Sequence, residues 1–364
     1  MPVTIDDLLA TLVERDASDL HLKSGAPPIM RIRGELVRLP EFQMTPEEHQ
    51  SMLFGILNED RRRRLDNFKE VDLSYFVPGV SRFRVNMFWQ RGEVGAVFRV
   101  IPFNIRTIDQ LKMPEVCKRL ALLPRGLILV TGPTGSGKST SLAAMIDHIN
   151  VTRKQHIMTI EDPIEYVHKD KTSIINQREL GTDTHTFTDA LRHVMRQNPD
   201  VILVGEMRDL ETISLAITAA ETGHLVFSTL HTVDAAQTMD RIIDVFPPDQ
   251  QAQIRTQLSV TIQAVISQTL LPRKDQPGRI AAFEVMVATP SIRTLIRDGK
   301  THHLYMDIQT GADLGMQTLD GSLLTLLKEE KIDYEHALSK SSNLQDFQRR
   351  ALNLGLAEVL VATH

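Results

Sequence analysis

The rhythm of apolar positions changes near residue 115. Before it, short alternating segments are interleaved with brief helical ones; after it, compact apolar runs alternate with longer helical stretches. Ile5, Leu8, Leu9, Leu12 and Val13 recur at helical spacing behind Thr4, which predicts a capped helix over residues 4–14. Asp19-Leu20-His21-Leu22 alternates, Pro27-Pro28 breaks the pattern, and residues 29–37 alternate around Gly34, predicting a strand pair. Thr45-Pro46-Glu47-Glu48 is a helix start with a hydroxyl cap and proline at the first position. A further helix begins at Asn58 and ends near Asp66-Asn67, its residues 61–64 an arginine run that reads as a solvated face. Alternation over 71–76, 82–90 and 94–100, the last two joined at Arg91-Gly92-Glu93, adds antiparallel strands. Residues 1–101 therefore read as a small α+β domain, and residues 102–114, with two prolines and little periodicity, as a linker.

From there strands are predicted over 127–131, 156–160, 201–204 and 225–229, and helices over 139–149, 188–195, 210–222 and 235–245. Such alternation implies an α/β domain, residues 115–364, built on a mostly parallel sheet. After Pro248 the chain reads mainly helical.

Composition narrows the field. A length of 364 residues favours two domains, and 42% apolar with 24% charged residues is ordinary for a globular chain. A net charge of −5 supplies no basic field for nucleic acid or anionic lipid. No apolar stretch is long enough to span a bilayer and the first residues lack a basic leader, so a cytoplasmic protein is expected. A lone cysteine, Cys117, excludes an internal disulfide or a multi-cysteine zinc site.

The strongest chemical signal is Gly132-Pro133-Thr134-Gly135-Ser136-Gly137-Lys138-Ser139-Thr140, which satisfies G-x-x-x-x-G-K-[ST] between a predicted strand and a predicted helix. Backbone N–H groups of such a loop curl around a polyphosphate and the helix N-terminus adds its positive end. Lys138 is expected to reach the β/γ-phosphates and Ser139 to ligate Mg²⁺, so ATP or GTP is the expected ligand. The run from Val201 to Val204 ends in Gly205-Glu206, where many such enzymes carry a Mg²⁺-holding Asp. Glu206 is the candidate to orient or deprotonate the attacking water. Glu161, Asp162 and Glu165 follow a second strand, with Pro163 fixing the turn, and are candidates to help position water or Mg²⁺. His231 lies just past a third strand, where it either is a satisfied structural histidine or senses the γ-phosphate or the catalytic acid.

Together these residues closely resemble the secretion-type ATPases and, among them, the PilT-type retraction ATPases of type IV pili. The phosphate loop matches; Ile160 to Tyr166 resembles the family's Asp box, Gly205 to Thr212 its atypical Walker B segment, and Ala220 to Thr232 its His box. Ala17-Ser18-Asp19-Leu20-His21 resembles the signature of the N-terminal PAS-like domain, and Ser291 to Asp298, with Gly315-Met316-Gln317-Thr318, resembles segments typical of retraction ATPases. In the second of these, Ile292, Leu295 and Ile296 are expected to pack inward, with Arg293 and Arg297 on another face.

The resemblance implies a homohexamer of two-domain subunits, a PAS-like domain followed by a RecA-like core, with ATP bound between them. It also implies first-domain arginines that complete the transition-state charge, for which Arg84 and Arg99 are the candidates and Arg82 and Arg91 near alternatives. The implied activity is ATP hydrolysis powering pilus retraction, hence twitching motility and DNA uptake. The implied partner is an inner-membrane platform protein, with the ring at the cytoplasmic membrane face and no direct nucleic-acid contact. The alternatives are the accessory retraction ATPase of the same pili, a RecA-like nucleic-acid translocase, and a non-hydrolysing nucleotide-gated scaffold.

Overall fold

The computed structural model describes residues 3–101 and 104–356. Its contacts divide the chain into two compact units, one formed by Met1–Asn104 with Pro163–Val167, the other by Ile105–Asp162 with His168–His364. Residues 102–103 of the expected linker and 357–364 of the tail lie outside the described residues.

The first unit runs α1 (Ile5–Glu14), β1 (Ala17–Lys23), β2 (Ile29–Ile32), β3 (Glu35–Arg38), α2 (Pro46–Phe54), α3 (Glu59–Phe68), β4 (Glu70–Val77), β5 (Ser81–Gln90) and β6 (Glu93–Ile101). Thr4 and Thr45 each cap their helix in a reciprocal box with the acid three residues on. The six strands form one sheet in the order β3-β2-β1-β6-β5-β4, every neighbouring pair antiparallel. Alternation puts Leu20, Leu22, Phe83, Val85, Met87 and Phe98 in a core with Leu8, Leu9, Leu12, Leu53 and Leu65 of the helices. The intervening residues of β5 and β6, Arg84 and Arg99 among them, fall on the other face.

The second unit contains α4 (Val116–Ala121), β7 (Gly126–Thr131), α5 (Lys138–Thr152), β8 (His156–Glu161), β9 (Ile174–Glu179), α6 (Phe187–Val194), β10 (Val201–Val204), α7 (Leu210–Glu221), β11 (Leu225–Leu230), α8 (Ala235–Asp244) and α9 (Pro248–Thr261). Then come β12 (Ile262–Pro272), β13 (Arg279–Val287), α10 (Pro290–Arg297), α11 (Leu304–Thr310), α12 (Leu319–Lys328), α13 (Tyr334–Leu338) and α14 (Leu344–Asn353). The sheet order is β13-β12-β7-β11-β10-β8-β9, parallel throughout except for the β12–β13 pair. Successive residues of one strand go to different cores: Leu127 and Leu129 pack with α7, α8 and α9, while Ile128 and Val130 pack with α4 and α5. A sheet covered on both faces needs apolar residues at every position, which is why its strands read as runs rather than alternations. Ile108 and Met113, from the stretch read as linker, are buried in the second of these cores.

Past Pro248 the chain is mainly helical, as read, but it also contains a hairpin that the pattern did not show. Only α9 follows directly, and the chain then forms the β12–β13 hairpin, eleven and nine residues long, at the sheet's edge beside β7. Eight of β12's first ten residues are buried, so no period of two marked it, and an unbroken apolar run does not distinguish strand from helix.

Glu284 of β13 ties this hairpin to two helix starts. Its buried carboxylate accepts the Ala235 N–H of α8 at 2.9 Å and a backbone bond from Leu319 of α12. Burial, aided by the nearby Asp234 and Asp320, raises it from its ordinary 4.5 to about 7. Between those values the folded chain keeps a proton that the unfolded chain has lost, so this group makes stability fall as pH rises from about 4.5 to about 7. Glu284→Gln removes the titration. Its melting temperature relative to wild type is expected to climb across that window, and parallel melting curves from pH 5 to 8 would show that Glu284 is not the source.

Candidate functional site

The phosphate-binding motif lies where the fold makes it useful. β7 is buried at every residue and flanked by β12 and β11, so the loop 132–137 leaves a rigid support. Thr131 Oγ1, the last polar group of the strand, donates to Ser267 Oγ of β12 at 2.8 Å. α5 starts at Lys138 with Gly137 as its N-terminal flank and no side-chain cap, leaving first-turn N–H groups to an anion. Lys138 Nζ donates to the carbonyl oxygens of Gly132 (2.8 Å) and Pro133 (3.2 Å) and lies 3.5 Å from His231 Nδ1. Gly132 is irreplaceable on steric grounds. Its φ is +141°, and a Cβ there would stand 2.2 Å from the Gln268 carbonyl oxygen.

Because β11 lies between β7 and β10, the loop, His231 and Glu206 emerge from the carboxyl ends of three adjacent parallel strands. Glu206 Oε2 pairs with Arg208 Nη2 at 2.8 Å, and Oε1 lies 3.3 Å from His231 Nε2. His231 therefore stands between the two, one ring nitrogen within reach of the Lys138 amino group and the other of the Glu206 carboxylate. Burial pushes the Glu206 carboxyl up, but the Arg208 hydrogen bond and the charges of Arg208, His231 and Lys138 outweigh it and hold the group below the usual range. A cavity of about 390 Å³ opens here, lined by Glu206, Met207, Arg208, His231, Thr232 and Arg241 among others. Gly205 stands where an Asp is common because the strands close up. Its N–H donates to Ile160 O at 2.8 Å, and a Cβ would come within 3.3 Å of Glu161 Cα.

Glu161 ends β8, and its Oε1 accepts from Thr159 Oγ1 (2.6 Å) and Gln177 Nε2 (3.0 Å). The Glu206 hydrogen bond, with the charges of Glu206 and Asp162, raises the Arg208 guanidinium's pKa; Asp162 follows directly on β8. Glu165 belongs to the segment grouped with the first unit, where it lies 3.8 Å from Arg84. Among the described residues no group of three or more His, Cys, Asp or Glu side chains converges as a metal cage. The residues suited to a cation are the Ser139 hydroxyl in the first turn of α5 and the carboxylates of Glu161 and Asp162.

Within the first unit Arg84 and Arg99 face each other across β5 and β6. Arg99 Nε donates to Oδ1 of the buried Asp19 at 2.8 Å, and Arg31 Nε lies 3.7 Å from Oδ2. Burial raises Asp19, yet the hydrogen bonds of Arg99 and Ser18 together with the Arg99 charge leave it below its ordinary value. The Ala17–His21 signature thus contributes a carboxylate that aims Arg99. Arg82 Nη2 donates to Ser74 Oγ at 2.7 Å, and Arg91 occupies the β5–β6 turn at φ +51°.

In α10, Ile292 and Ile296 are buried and Leu295 packs partly against the same core. Arg293 and Arg297 part company. Arg297 is exposed beside Asp298, whereas Arg293 reaches the carbonyls of Ser259 (2.7 Å) and Val260 (2.8 Å) and Gln263 Oε1 (3.0 Å), capping the end of α9. Gln317 exchanges backbone bonds with Val285, and Thr318 caps α12. Sequence reasoning singled out neither Arg208 as a partner of Glu206 nor Gln268. The two-residue spacing of Glu206 and Arg208 after a strand was a usable signal; for Gln268 there was none.

A family model described as "Type II/IV secretion system protein" matches residues 78–322. Over 346 residues the chain is 52% identical to the "Type IV pilus retractation ATPase PilT" of Pseudomonas aeruginosa, covering 94% of this chain and 99% of that protein. It is 42% identical to the "Type IV pilus ATPase PilU" of the same organism, over 96% of this chain and 91% of that one. Among solved structures, a pilus retraction motor PilT with bound ADP superimposes with a TM-score of 0.89 at 47% identity, covering 95% of this chain and 99% of that one.

Proposed function

The chain belongs to the type II/IV secretion system protein family and is an ATPase of the pilus-retraction kind, and from that premise we propose how it works. It acts as a homohexameric motor that converts Mg²⁺–ATP hydrolysis into retraction of type IV pili, and so into twitching motility and DNA uptake. It works at the cytoplasmic face of the inner membrane by pulling on a platform protein. None of its described helices is long and apolar enough to cross a membrane itself.

The observation that carries the reading is the convergence of Lys138, His231 and Glu206 at the ends of three adjacent strands. The loop amides and the α5 N-terminus grip the polyphosphate, and Lys138 exchanges the carbonyls it now holds for phosphate oxygens. Mg²⁺ would be held by the Ser139 hydroxyl with phosphate oxygens and waters, with Glu161 and Asp162 as the further candidate carboxylates. It would neutralise charge on the transferring group. Glu206 orients the attacking water, and His231 links it to Lys138, so the carboxylate senses whether a phosphate has drawn that lysine away. Arg84 and Arg99 complete the transition-state charge, and their approach and withdrawal turn hydrolysis into motion. The accessory retraction ATPase is the less favoured reading, since the PilU relative is the more distant of the two named.

Steady-state turnover with Mg²⁺–ATP, beside the native mass of the same samples, tests this. Wild type is expected to hydrolyse ATP as a hexamer, and Lys138→Ala to lose about a hundredfold or more in turnover through failed nucleotide binding. Turnover by a stable monomer would sink the ring; wild-type turnover in Lys138→Ala would sink the assigned site.

A further inference from the structure

We infer that Gln268 is a positioning residue for nucleotide: its amide sets the direction of a phosphate-binding N–H in the loop. β12 pairs in parallel with β7 as far as Ser267 opposite Thr131, then continues to Pro272 while the partner strand turns into the loop. Gln268 is the first residue past that pairing, and the wall it begins stands directly against the loop. Its own carbonyl oxygen leaves no space for a Cβ on Gly132, and its side-chain nitrogen would lie 3.1 Å from a Cβ on Gly137.

The side chain, almost fully buried, donates from Nε2 to the Ser136 carbonyl oxygen at 2.6 Å. In a trans peptide the C=O and the following N–H point in opposite directions. Holding the Ser136 carbonyl back against β12 therefore turns the Gly137 N–H away from the wall. That is the side from which a polyphosphate meets the loop amides. The bond is made by a strand distant in sequence, so the loop's shape depends on the hairpin edge of the sheet as well as on its own glycines.

A second observation agrees. Gln268 Oε1 and Ser136 Oγ are both buried and, among the described residues, have no hydrogen-bond partner. Unpaired buried acceptors are unfavourable, and a Leu or Met would fill the same space without one. What the glutamine supplies that they lack is the donor to Ser136.

The inference rests on the nucleotide reading of the loop, and the experiment separates the two. Full-length wild type, the near-isosteric Gln268→Met and Gln268→Leu are titrated with MgADP and with adenosine by calorimetry, after melting curves confirm that each is folded. Steady-state turnover of Mg²⁺–ATP follows. Both variants are expected to bind MgADP about tenfold more weakly and to raise KM for ATP by a similar factor. kcat should stay within about twofold, since the N–H bond is made in ground and transition state alike. Adenosine, which has no phosphate, should bind all three proteins equally. If Met at this position prevents folding, Gln268→Leu carries the test, because it fills the site and has no donor in any protonation state. Wild-type MgADP affinity in a folded variant would overturn the role of Gln268, as would equal losses for ADP and adenosine. Failure of wild type itself to bind MgADP would instead overturn the nucleotide reading.

Discussion

Glu206→Gln is expected to slow Mg²⁺–ATP hydrolysis by about 10²–10³-fold while leaving ATP affinity within a few-fold of wild type. The carboxylate is held below the ordinary range by Arg208, His231 and Lys138, in spite of its partial burial. A carboxylate at or below its ordinary range is a poor proton acceptor at neutral pH, and phosphoryl transfer with a loose transition state asks little of a base. What it demands is orientation of the attacking water by a fixed acceptor. Glutamine keeps the size but replaces one acceptor oxygen with a donor, faces the Arg208 guanidinium without a charge, and so misdirects the water. Because Glu206 is held by Arg208 and His231 rather than built into the loop, binding should survive. A Glu206→Gln enzyme with wild-type turnover would transfer the role to Glu161 and Asp162.

Replacing Gly132 by alanine should be as damaging by a different route. The added Cβ meets the Gln268 carbonyl oxygen at 2.2 Å and Ser136 Oγ at 2.7 Å, at a φ of +141° that alanine adopts only under strain. The hydroxyl can rotate away, but the carbonyl belongs to β12, which is paired with β13 at this residue and with β7 up to Ser267, so the loop must give. A loss of about 2–4 kcal/mol in stability is expected, with MgADP affinity falling about a hundredfold or more because the amide cradle is dismantled. Thermal melting and calorimetric titration check the two effects separately. MgADP binding at wild-type strength would mean the cradle tolerates a displaced first residue.

Several features were legible in the chain itself because they are local. The Thr4 and Thr45 caps lie within three residues of the groups they bind, and the loop from Gly132 to Ser139 carries its whole specification in eight residues. The alternation of β4, β5 and β6 follows from a sheet whose two faces differ, one packed on helices and one not. The central strands were legible as buried runs bounded by turns, although β9 went unread and β12 with β13 passed for helix, since burial on both faces erases the period.

What the sequence alone determined, then, is that a phosphate-binding loop launches a helix from a buried strand, and that acids and a histidine follow the ends of other strands. Which of them meet was decided by the tertiary structure. Chain order runs β7, β8, β9, β10, β11, whereas order in the sheet runs β12-β7-β11-β10-β8-β9. Only the latter sets His231 between Lys138 and Glu206, moves Glu161 one strand further out, and lays Gln268 against Ser136 across 132 positions of chain. Asp19 with Arg99 and Arg293 with the end of α9 arose the same way. Local pattern records how a segment solvates its own faces; the pairing of distant segments depends on which arrangement buries all those faces at once, and no single segment encodes it.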